Sequence, residues 1–119
     1  MKYMIMMFGS AAEMAESRSP EWIKEMMAFM RGLGEELTSS GELVSAEGLQ
    51  DGSAATIVRL ADGVPVATDG PYAESKESII GFWIVDVADK ARVLDIAGRI
   101  VHYSRVVEVR PLGVAPEPE

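Results

Sequence analysis

Two segments of this chain are apolar on both sides at strand spacing, and few folds can accommodate that. In residues 3–8, Tyr3, Ile5 and Met7 point one way and Met4, Met6 and Phe8 the other, because successive strand side chains alternate between faces. Residues 79–87 repeat the pattern, with Ile79, Trp83, Val85 and Val87 opposite Ile80, Phe82 and Ile84. Strands of this kind belong in the middle of a sheet whose two faces are both covered.

The rest of the pattern supplies only two long helices. Ser19-Pro20-Glu21 gives a capping hydroxyl, a proline suited to the first helical position and an acid in the first turn. Ile23, Met26, Met27, Met30, Leu33 and Leu37 then recur at helical spacing up to Gly41, which predicts a helix over 20–39. Asp89 is placed to cap a second helix with Val93, Leu94, Ala97, Ile100 and Val101 inward. Between the helices, 42–48 reads as a short strand and Gln50-Asp51-Gly52-Ser53 as a polar loop. Residues 55–60 and 64–68 read as a hairpin about Ala61-Asp62-Gly63, with Pro65 marking an edge. Residues 9–18 read as a polar connection, and 106–109 as a last strand before Pro111.

The order strand, helix, strand, hairpin, strand, helix, strand predicts an α+β fold. It is a ferredoxin-like α/β sandwich with a mainly antiparallel sheet and both helices on one face. Residues 1–112 are expected to form a single domain, and 113–119, with alternating proline and glutamate at the end, a disordered tail. Two helices cover one face of the sheet only. The other, apolar face is therefore expected to meet a second copy of the chain, either sheet to sheet or as a shared dimeric α/β barrel.

Charge narrows the partners. The 119 residues carry 11 basic and 19 acidic side chains, a balance of −8. Residues 1–60 hold five basic and nine acidic groups and residues 61–119 six and ten, so each half is −4 and no basic stripe exists. Direct nucleic-acid binding and adsorption to an anionic membrane are disfavoured. With no cysteine there is no disulfide, zinc ribbon or thiolate nucleophile, which suits a reducing cytosol. The first nine residues lack the pattern of a signal peptide, and no run approaches the ~20 apolar residues that span a bilayer. The expected location is cytoplasmic.

The densest chemistry lies in Asp69-Gly70-Pro71-Tyr72-Ala73-Glu74-Ser75-Lys76-Glu77. Asp69 is the candidate general base if burial raises its pKa, or a turn-forming carboxylate that accepts backbone N–H groups. Glu74 and Lys76 add titratable groups, and Tyr72, Trp83 and Trp22 are candidate walls of an apolar ligand pocket between helix and sheet. The eight methionines serve either that pocket or ordinary packing. His102 is the only histidine, which excludes multi-histidine metal sites within one chain, and it is assigned to the end of the second helix. No metal or cofactor is expected: GxSxG, Walker, GxGxxG and HExxH motifs are all absent.

Together with Met1-Lys2-Tyr3-Met4, Gly48-Leu49-Gln50, Gly81-Phe82-Trp83 and Val107-Glu108-Val109-Arg110-Pro111, this run resembles the YCII-related or DGPF family over nearly the whole chain. The run is similar to the family's DGPFAETKE signature, with Tyr72 for Phe and Ser75 for Thr. The resemblance implies a ferredoxin-like dimeric α/β barrel. Broader YCII-like members carry a histidine near the start of helix one and an aspartate after helix two, a suggested acid–base pair. Trp22 and Val101 stand near those places here, so that pair does not carry over, whereas Asp69 remains as a signature residue with Glu74 and Lys76 beside it. The resemblance also implies a setting beside sigma-factor-type transcription regulators. A non-catalytic interaction protein thus stands as the alternative to a small-molecule pocket.

Overall fold

The structure, a computed structural model, describes residues 1–70 and 78–114. Its elements are β1 (Lys2–Gly9), α1 (Ala11–Ser17), α2 (Pro20–Ser39), β2 (Leu43–Gly48), β3 (Thr56–Ala61), β4 (Val64–Asp69), β5 (Ser78–Asp86), α3 (Lys90–Ser104) and β6 (Val107–Pro111). The doubly apolar strands take the middle of the main sheet, as their alternation demands. Its order is β2-β5-β1-β6, every pair antiparallel, while β3 and β4 form a separate two-stranded ribbon. This is a ferredoxin-like order with the ribbon inserted between the second and third strands of the sheet.

Local signals set the helix ends. The Ser19 hydroxyl accepts the Trp22 N–H at 3.1 Å, and Pro20 opens α2. At its far end the amides of Gly41 and Glu42 donate to the carbonyls of Thr38 and Leu37 at 3.1 and 2.9 Å, the paired bonds that satisfy a helix's last carbonyls. Asp89 caps α3 by accepting the Arg92 N–H at 2.9 Å. The ribbon turns through Asp62-Gly63, both at positive φ (50° and 79°), which matches the twist of a tight hairpin.

The core lies between the sheet and the two long helices. Tyr3, Ile5, Trp83 and Val85 pack against Leu33 and Leu37 of α2 and against Val93, Ile96 and Ile100 of α3. Burying each such aliphatic side chain is worth about 1.5–3 kcal/mol. The molecule is 19 Å thick along its thinnest axis, the depth of one helical layer on one sheet. On the opposite face, strand pairing places Met4, Met6, Phe82 and Ile84 in a central block, with Glu108 and Arg110 on one side and Ser45 and Glu47 on the other.

Two sequence expectations need correction. Residues 11–17, read as a polar connection, form a helix: the Ser10 hydroxyl accepts the Glu13 N–H at 3.2 Å, and Ala, Glu and Met are good helix formers. Along α3 the buried set is Val93, Ile96, Ala97, Ile100 and Ser104, while Leu94 is half exposed and Val101 lies at the border of the stripe. One buried stripe turns past Leu94, and Ile96, three residues after Val93, takes its place. The expected tail begins at Gly113, and its last five residues lie outside the described ones.

Candidate functional site

One end of the sandwich is hollow. The C-terminal ends of β1 and β2, the start of β5, the first half of α2 and the end of α3 leave a cavity of about 470 Å³, within the range of small-molecule sites. Met7, Met14, Met26 and Met30 line it together with Trp83. Three features shape this chamber. Gly81 lets the Met7 side chain lie across β5, since a Cβ there would stand 2.6 Å from Met7 Cε. The methionines are adaptable walls that refit to different occupants. The indole N–H of Trp83 is shielded from solvent and has no acceptor among the described residues, an unsatisfied donor in an apolar setting.

A smaller, more polar annex of about 150 Å³ adjoins it, and Met14, Tyr103 and Ser104 line both spaces. The annex is built by α1, the start of α2 and the exit from α3. Arg18 stacks its guanidinium 4.5 Å from the ring centre of Trp22, whose ring meets Tyr103 at 5.7 Å; Tyr103 in turn stacks on Phe29 at 4.8 Å. Arg105 leaves α3 with φ 68° and ψ −43°, and the Val106 N–H donates across it to the Ser104 carbonyl at 2.7 Å. That is a γ-turn at a non-glycine residue, a rare conformation costing about 1–3 kcal/mol.

The sequence candidates fall as follows. Trp83 lines the chamber and Trp22 the annex, so the structure brings the two tryptophans to one end of the molecule. Asp69 ends β4 opposite Thr56, exposed, at the base of the ribbon. Tyr72, Glu74 and Lys76 lie outside the described residues. Their flanks are placed: the Gly70 N–H donates to the Ala55 carbonyl at 2.8 Å, and Ser78 shares a shallow cavity with Leu49, which also lines the chamber. His102 sits exposed in the last turn of α3. Of the methionines expected on α2, Met26 and Met30 face the chamber whereas Met27 is exposed. Arg18, Arg105 and Met14 were not singled out from the sequence, because the unrecognised helix α1 and the turn after α3 are what bring them to the cavity. Among the described residues no cluster of histidine, cysteine, aspartate or glutamate could hold a metal ion, and no helix is long and apolar enough to cross a membrane.

Fold and site together define an α+β sandwich with a ligand-sized cavity at one end and an apolar sheet face at its back. The model of the YCII-related domain matches residues 1–112, and the chain belongs to that family. It is also similar to an uncharacterised protein of Rhizobium meliloti (strain 1021), 30% identical over 106 residues, which covers 83% of this chain and 86% of that protein.

Proposed function

We propose that the chain works as a cytoplasmic homodimer, closed through its open sheet face, in which each protomer's single domain binds a small molecule at the hollow end. The observation that carries this reading is the 470 Å³ chamber, which borders β5, the strand that follows segment 69–76 in the chain. In this reading Asp69 anchors a polar group of the ligand or acts as a base, Glu74 and Lys76 add polar contacts, with Lys76 meeting an anion, and Tyr72, Trp83 and Trp22 are apolar walls. The ligand is either held or turned over without a cofactor. The dimer is supported by the apolar block of Met4, Met6, Phe82 and Ile84 with its polar rim, the anatomy of a protein interface.

A second reading has its own observation. The ribbon exposes Val58, Leu60, Val64 and Val66, and an isolated two-stranded ribbon is marginal in water without something to pack on. That favours a non-catalytic interaction protein, in the setting of sigma-factor-type regulators that the signature resemblance implies.

Thermal stabilisation of the purified chain across a metabolite collection separates the two. The pocket reading expects at least one stabilising compound, lost in Asp69→Asn without change in fold or dimer mass. No stabilising compound, or a response that Asp69→Asn leaves intact, favours the interaction protein or moves the site away from Asp69.

A further inference from the structure

We propose that the chamber and its annex form one site for an apolar molecule bearing a single carboxylate, with the head against Arg18 and Arg105 and the body among the methionines. This rests on the small-molecule reading above and adds the chemical class of the ligand.

Charge carries the inference. In a chain of net charge −8, an anion is repelled by the overall field and needs local positive groups. Arg92, Arg99 and Arg110 are paired with Glu42, Glu36 and Glu108. Among the described residues Arg18, Arg31 and Arg105 have no carboxylate within salt-bridge distance, although acids outnumber bases 19 to 11 in the chain, and all three line these two cavities. A guanidinium presents a planar fork of donors matched to a carboxylate.

The annex also sets the valence. Its charged lining is Arg18 and Arg105 against Glu13, one net positive charge, which suits a monoanion better than a phosphate dianion. Ser17 adds a hydroxyl to the same lining, while the Ser10 hydroxyl donates to the Asp51 carboxylate at 3.2 Å and accepts the Glu13 N–H at 3.2 Å. Met14, Tyr103 and Ser104 join it to the chamber, so a head in the annex continues into a mostly apolar space. Arg105 is held there by the positive-φ turn.

Equilibrium titration of the full chain with octanoate, octan-1-ol, octyl phosphate and acetate, followed by tryptophan fluorescence, tests the assignment. Octanoate should bind about tenfold tighter than octan-1-ol and at least ~100-fold tighter than acetate. Arg18→Gln and Arg105→Gln, checked for fold by circular dichroism, should each weaken octanoate about tenfold and leave octan-1-ol unchanged. Equal binding of acid and alcohol, or variants that weaken both alike, overturns the anionic head while the apolar chamber stands. Octyl phosphate binding more tightly than octanoate overturns the monocarboxylate. If neither octanoate nor octan-1-ol binds, the apolar carboxylate assignment is overturned, and the small-molecule reading beneath it then stands or falls on the metabolite screen alone.

Discussion

Arg92, in the first turn of α3, grips Glu42, the residue that leads into β2, through two hydrogen bonds of 2.9 Å each. The pair ties the edge strand's entry to the start of a helix 50 residues away in sequence. Ser40 adds a hydroxyl to the same carboxylate at 2.8 Å. The two-bond geometry makes this more than an ordinary surface pair.

The hydrogen bonds from Arg92, then from Ser40, lower the Glu42 pKa from its ordinary 4.5 to about 2. A carboxylate whose pKa is depressed by folding adds stability that is complete above the unfolded value and is lost as pH falls toward the folded one. Stability curves of the native chain and Glu42→Gln should therefore differ by a constant amount above about pH 4.5 and converge as the pH falls toward 2. Arg92→Met should cost about 1 kcal/mol at neutral pH in urea unfolding. A gap that persists unchanged to pH 2 would place the stabilisation outside the ion pair.

Gly81 has a steric role that substitution exposes. A Cβ there meets Met7 Cε at 2.6 Å and the Glu47 carbonyl oxygen at 3.1 Å, so the methionine must move and β2 must give slightly. Gly81→Ala should lower stability by about 1–3 kcal/mol. Because Met7 is the nearer obstacle, Met7→Ala should cost less in the Gly81→Ala background than alone, a coupling readable in a double-mutant cycle. Additive effects would mean that the strain falls on β2 instead.

The dimer proposed above makes a charge on the open face intolerable. Ile84 pairs with Met4 and Ser45 near the middle of that face. Ile84→Lys should halve the mass in sedimentation velocity while the circular dichroism spectrum holds, since the core face of β5 is untouched. A variant that remains dimeric would move the interface elsewhere, with the ribbon the next surface to test.

The parts of this fold that were legible in the sequence are those fixed by neighbours in the chain. Ser19-Pro20-Glu21 and Gly41 bound α2 at Pro20–Ser39, and Asp89 starts α3 at the expected residue. The double alternation of β1 and β5 placed both in the centre of the sheet. Two things escaped. Helix α1 has seven residues and no long apolar stripe, so its cap at Ser10 was its one clear signal. The hollow end gathers Met7, Met30, Trp83 and Tyr103 from four elements, and no local spacing encodes that convergence. The signature run leads into Ser78, the first residue of β5, with residues 71–77 outside the described ones, and the arginines that lack a carboxylate partner among the described residues became visible only once the acids were matched to their partners in space.

Arg105 offers a last test in which stability and binding part company. Its φ of 68° lies where a Cβ is strained, and the α3-to-β6 passage is held there by the Arg105 N–H to the Val101 carbonyl at 2.9 Å and the Val106 N–H to the Ser104 carbonyl at 2.7 Å. Glycine adopts that backbone without the steric cost, whereas alanine keeps it. Arg105→Gly should therefore be more stable than Arg105→Ala by about 1 kcal/mol in urea unfolding, the reverse of their order within a helix. Both variants remove the guanidinium and should weaken octanoate to the same degree. If Ala proves the more stable, the passage does not hold positive φ in solution; if octanoate affinity follows stability instead of charge, the turn alone shapes the annex and the guanidinium is incidental to it.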